Sequence, residues 1–166
     1  MERMTKAPLC YVQEDGCLGK IGSYARTLGE SGVYAVVDPF ILQTYGAVLK
    51  DAFVWENVPL RMQAVEGECC RQNIDRMIAE LRAAGCDVVA GIGGGKALDL
   101  AKAVAHFARL PVLVVPTSAA TDAPCSAISV LYTEDGVFDR YLALRHSPDL
   151  VLVDTRVIAN APARLL

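Results

Sequence analysis

Four short runs constrain the fold most. They are VYAVVD (33–38), CDVVAGIG (86–93), PVLVVPT (111–117) and DLVLVD (149–154), and each is apolar at consecutive positions. A strand with one wet face alternates apolar and polar residues, whereas a strand covered on both faces does not. Amphipathic helical patterns separate the runs. In GECCRQNIDRMIAELRAAG, Ile74, Met77, Ile78 and Leu81 recur at helical spacing, and Gly85 supplies a stop signal. Residues 96–109 repeat the pattern with Leu98, Ala101, Val104, Ala105 and Ala108. Buried strands alternating with helices predict an α/β fold: a Rossmann-like parallel sheet with helices on both faces.

The rest of the chain is placed around these runs. CYVQ (10–13) reads as a first strand, 18–31 as a helix closed by Gly32, and 40–49 as a second helix. FVWENV and RMQAV, within 53–65, read as two short strands around Pro59, with Trp55 and Tyr45 as packing residues. After Thr117 the sequence turns small and polar, then alternates as a β-hairpin around Glu134-Asp135-Gly136. Asp154 or Thr155 can cap a last helical turn. NAPARLL, ending at Leu166, reads as the entrance to a further helix, so the expectation is one domain, 1–166, at the front of a longer protein.

Charge and cysteine usage narrow the function classes. The net charge of −3 argues against a nucleic-acid backbone as partner. No apolar run approaches the roughly 18 residues of a membrane span. MERMTKAPLC contains no apolar core of a secretory signal, so the expected location is cytoplasmic. The six cysteines include no CxxC pair and read as reduced, buried thiols. Neither His106 nor His146 sits in a metal-ligand motif.

The strand 88–93 ends in Gly91, Gly93, Gly94 and Gly95, with Lys96 next and a helix after it. Strand, glycines, helix is a layout for anion binding: glycine lets the backbone approach a phosphate, and the helix offers free N–H groups. Two common patterns fail. The P-loop would need glycine at Ala90 and Ser or Thr at Ala97; GxGxxG would need glycine at Lys96 or Leu98. The acidic strand end, Asp38, precedes the glycines, whereas in an ordinary dinucleotide unit it follows them. A tight structural turn remains an alternative. The segment VVPTSAATDAPCSA leaves another buried strand, and Asp122 is its charge. From spacing alone, Asp122 is either a functional carboxylate or a local cap or Asx turn before Pro124.

GIGGGKALDLAKAVA, LPVLVVPTSAATDAPCSAISVLYTEDG and PDLVLVDTRVIANAPARLL together resemble the glycerol dehydrogenase branch of the iron-containing (group III) alcohol dehydrogenase superfamily, related to dehydroquinate synthase. The resemblance covers nearly the whole chain. It implies NAD-dependent oxidation of glycerol, or a similar small polyol, to dihydroxyacetone, assisted by zinc or another divalent metal. By position, Gly94, Gly95 and Lys96 would cradle the pyrophosphate, with Asp99 close by on the same helix. Asp38 would bond the adenosine ribose. Thr117 and Ala120 would border the cofactor, and Ser126, Ile128 and Tyr132 would lie nearer the nicotinamide. Asp122 would contact the substrate hydroxyls. The family's metal ligands, one Asp and two His, belong to a helical domain beyond Leu166, so no metal ligand is expected within the chain. A homo-oligomer is implied for the full-length protein. The alternatives are a non-catalytic nucleotide-binding fragment, a related polyol or glycerol-phosphate dehydrogenase, and a dehydroquinate synthase-like enzyme.

Overall fold

A computed structural model describes residues 7–165; the expectations for the opening six residues and for Leu166 lie outside the described residues. The strands are β1 (Cys10–Glu14), β2 (Val33–Val37), β3 (Leu60–Ala64), β4 (Val88–Gly93), β5 (Val112–Pro116), β6 (Ile128–Tyr132), β7 (Phe138–Ala143) and β8 (Leu150–Asp154). The α-helices are α1 (Ile21–Arg26), α2 (Pro39–Trp55), α3 (Arg71–Ala83), α4 (Gly95–Ala108) and α5 (Thr155–Ala159). Six strands form one sheet in the order β1-β8-β5-β4-β2-β3, every pair parallel. β6 and β7 form a separate antiparallel hairpin.

The consecutive apolar residues are explained by two cores. Val33, Ala35 and Val37 of β2 face α1 and α2, joined by Ala90, Ile92, Leu113 and Val115. Tyr34 and Val36 face the other way, toward Ile74, Met77 and Leu81 of α3 and Leu98 and Val104 of α4. Leu131 of the hairpin packs into this second core. The Rossmann-like α/β fold with its hairpin is therefore as the sequence predicts.

Four local expectations are corrected. The helix expected over 18–31 is a 3-10 turn, Cys17–Lys20, followed by the short α1. A Cβ on Gly29 would lie 2.5 Å from Val88 and 2.7 Å from Asp87, and the Asp87 carboxylate takes the N–H groups of Glu30, Ser31 and Gly32. The chain turns there to satisfy that carboxylate. The strand expected at FVWENV is instead the last turn and cap of α2. Phe53 is buried in the first core, and Asn57, at φ 53°, closes the helix as the Val58 N–H bonds the Phe53 carbonyl at 2.9 Å. Packing of Phe53 and the asparagine cap outweigh the strand preference of Phe, Val and Trp. Trp55 is 88% exposed and does not pack. The thiols divide as well: Cys17, Cys69 and Cys70 are buried, Cys86 is half-buried, and Cys10 and Cys125 are exposed, all of them free.

Candidate functional site

β2 and β4 are neighbours, but the helices that follow them leave to opposite faces of the sheet. Chain paths diverge at such a point and open a crevice beyond the carboxyl ends of the strands. Asp38 leaves β2 and the glycine turn leaves β4, tied together by the Asp38 N–H donating to the Ile92 carbonyl at 2.9 Å.

The glycines at this turn serve different purposes. A Cβ on Gly91 would stand 2.6 Å from the Ala101 Cβ, so this glycine lets β4 lie against α4. Gly93, at φ 149°, would clash with the Asp38 and Ala97 Cβ atoms at 2.7 and 2.9 Å. Gly95 would touch Thr121 Oγ1 at 3.3 Å. Gly94 is the exception: a Cβ there would meet nothing within 4 Å, so its backbone borders open space. Gly94 is also the N-cap of the 14-residue α4 and has no side chain to accept the first-turn N–H groups. Those donors and the helix dipole favour an anion.

A cleft of about 680 Å³ lies over this point, lined by Asp38, Phe40, Tyr45, Gly94, Thr117 and Ser118, with α5 and residues 160–165 on its far side. Asp38 Oδ1 accepts the Phe40 N–H at 2.9 Å and the Ile41 N–H at 3.4 Å, capping α2. The Thr117 N–H donates to the Gly93 carbonyl at 3.2 Å. The structure thus brings Asp38, Gly94 and Thr117 together.

Gly95, Lys96, Asp99 and Tyr132 line a second opening of about 350 Å³ on the hairpin side of α4. Lys96 Nζ is 2.6 Å from Glu68 Oε1, a partner that sequence patterns did not suggest. Asp99 is committed structurally: Oδ2 accepts the Val130 N–H at 3.0 Å and Oδ1 is 3.0 Å from Lys102 Nζ. The Tyr132 N–H donates to the Cys69 carbonyl at 2.9 Å. Burial, with Asp99 second, pushes the Cys69 thiol up to about 12, so it is inert at neutral pH.

Lys102 is the residue that sequence reasoning missed. Its side chain is fully buried, and its ammonium donates to the carbonyls of Ala123 and Ile128 at 2.8 and 2.5 Å and to Ser126 Oγ at 3.2 Å. It fixes the loop that carries Ser126 and Ile128, with Asp99 balancing its charge. The available signal was α4 itself, which is buried on every side from Ala97 to Ala105, so a lysine there must be paired.

Ala120 and Asp122 are exposed on that loop. The Asp122 carboxylate makes no hydrogen bond among the described residues. No Asx turn forms; Thr121 Oγ1 accepts the Ala123 N–H at 3.1 Å, and the Asp122 carbonyl receives the N–H groups of Cys125 and Ser126. Among the described residues no group of three His, Cys, Asp or Glu side chains is arranged to hold a metal ion.

Residues 8–155 match the iron-containing alcohol dehydrogenase family. The chain belongs to that family. Over all 166 residues it is 43% identical to a glycerol dehydrogenase of Escherichia coli, of which it spans 45%. A crystal structure of a probable glycerol dehydrogenase from Sinorhizobium meliloti superposes with a TM-score of 0.89 at 35% identity, covering 99% of this chain and 44% of that one. A sulfoacetaldehyde reductase from Bifidobacterium kashiwanohense, solved in complex with NAD+, shares the fold at 20% identity and a TM-score of 0.85, over 99% of this chain and 49% of its own. The chain thus spans about half the length of the proteins it matches.

Proposed function

We propose that this chain is the dinucleotide-binding domain of an NAD-dependent polyol dehydrogenase acting on glycerol or a similar uncharged polyol. Gly94 carries the proposal, because it leaves bare backbone and unclaimed helix N–H groups facing open space at the switch point. That cradle fits a pyrophosphate. Phe40 and Tyr45 give the adjoining cleft apolar walls for a base, and the Asp38 carboxylate in the same lining would accept from a ribose. The Bifidobacterium kashiwanohense reductase that shares the fold was solved with NAD+ bound. When bound, NAD supplies the hydride acceptor that turns a secondary alcohol into a ketone.

The chain's own residues orient the reactants. Lys102 holds the 123–128 loop, and Asp122 presents a free carboxylate that can accept hydrogen bonds from polyol hydroxyls. Residues 117–128 contain no Lys or Arg, and Lys102 beneath them spends its ammonium on protein acceptors. This favours an uncharged substrate over a phosphorylated one. The divalent metal implied by the resemblance has no ligand set among the described residues.

Cofactor choice tests the reading. An Asp38 carboxylate accepts from ribose hydroxyls and repels a 2′-phosphate. Calorimetry should show NAD+ binding more tightly than NADP+, with Asp38→Ser narrowing the gap about tenfold. Serine preserves the helix cap, so folding is not the variable. NADP+ binding to the unmodified protein as tightly as NAD+ would refute the role of Asp38.

A further inference from the structure

At the far end of α4 lies another cleft, of about 320 Å³, with a basic rim. α4 and its C-cap supply His106 and Arg109; the loop between β7 and β8 supplies Arg145 and His146. Asp149 is the acidic lining residue, and its Oδ2 is taken by the Val112 N–H at 2.8 Å while Oδ1 stands 3.9 Å from His146 Nδ1. Lys102 also lines the cleft, but its ammonium is bonded to the 123–128 loop. Val112 opens β5 and Thr117 follows its end, so this cleft sits a strand's length, roughly 17 Å, from the glycine turn.

A chain of net charge −3 has gathered two arginines and two histidines around one opening, with the bonded Lys102 beside them. Burial, then Arg145, then His146, hold the His106 imidazole below its ordinary pKa. Within the same loop, His146 Nδ1 lies 2.7 Å from the Ser147 carbonyl oxygen, a contact that fixes the imidazole against the backbone. The negative end of the α4 dipole opposes an anion here, but the N–H groups of Arg109 and Leu110 already satisfy the carbonyls of His106 and Ala105. Arg71 stacks on Phe107 next door rather than on the cleft.

We propose that this cleft is a second, independent anion site, in which Arg109, Arg145, His106 and His146 hold a phosphate-class dianion, either free phosphate or the phosphoryl group of a small metabolite.

The chain has two histidines, so its imidazole NMR signals report this cleft. Sulfate is the probe because it remains a dianion throughout the titration, and sodium chloride at equal ionic strength is the reference. Saturating sulfate should raise the His106 imidazole pKa by about half a unit or more. Combined Arg109→Gln and Arg145→Gln substitution should weaken sulfate binding about tenfold, because charge-assisted pairs carry such sites. Gly94→Val should leave the sulfate-induced shift of His106 unchanged. Phosphate and glycerol phosphate, compared next, separate the sources: tighter binding of the ester assigns a metabolite, and equal binding assigns free phosphate. A His106 imidazole pKa identical in sulfate and chloride, or loss of the sulfate shift in Gly94→Val, would overturn the proposal.

Discussion

Asp87 shapes a segment that hydropathy patterns misread. Its Oδ2 accepts from Glu30 and Ser31 at 2.8 and 2.9 Å, and its Oδ1 from Gly32 at 3.1 Å. Burial raises its pKa, but the three N–H donors together outweigh burial and hold it below the ordinary aspartate value. A depressed folded-state pKa means that the stabilisation is complete above the unfolded value, about 3.9, and is lost as pH falls through the folded one. Asp87→Asn should cost about 1–3 kcal/mol at pH 7, since hydrogen bonds to a charged acceptor are lost. Urea melts should show that cost shrinking at about pH 3, and an equal cost at both pH values would contradict this account. Asp38, Asp87 and Asp154 all accept from backbone N–H groups, and the sequence does not distinguish a capping carboxylate from a ligand-facing one. Asp38 could be singled out because it ends a strand, but its commitment to α2 could not.

Helix α4 connects the described features: the glycine turn at its start, Asp99 and Lys102 in its middle, and the basic cleft at its end. Its periodicity was readable, and so was the turn before it. Hidden were the buried partners of Lys102, which lie 21 to 26 residues away and exist only once the loop folds back. α2 teaches the same lesson from the other side. Phe53-Val54-Trp55 has strand composition, yet burial of Phe53 and the cap at Asn57 keep it helical. The tight seam between β4 and α4 gives a prediction at this scale. Gly91→Ala places a methyl 2.6 Å from that of Ala101, and overpacking of this kind costs about 1–3 kcal/mol. Chemical denaturation should show that loss, and an unchanged midpoint would mean that the seam has slack.

Across the whole molecule, continuous apolar strands revealed a sheet covered on both faces, but not its strand order. No local pattern says that β1 joins β8, or that the buried Asp154 ties the two by accepting from the N–H groups of Gly16, Leu18 and Arg156. Order matters because it creates the divergence between β2 and β4, and with it the crevice. The central claim is that Gly94 faces a cofactor while Gly91 and Gly93 face protein. NAD+ titration of Gly94→Val by calorimetry, beside its urea melt without cofactor, tests this most directly. The account predicts a denaturation midpoint close to that of the unmodified chain, because the added side chain meets open space, and NAD+ affinity lowered about tenfold or more, roughly 1.4 kcal/mol. A folded Gly94→Val protein that binds NAD+ as tightly as the unmodified chain would contradict it.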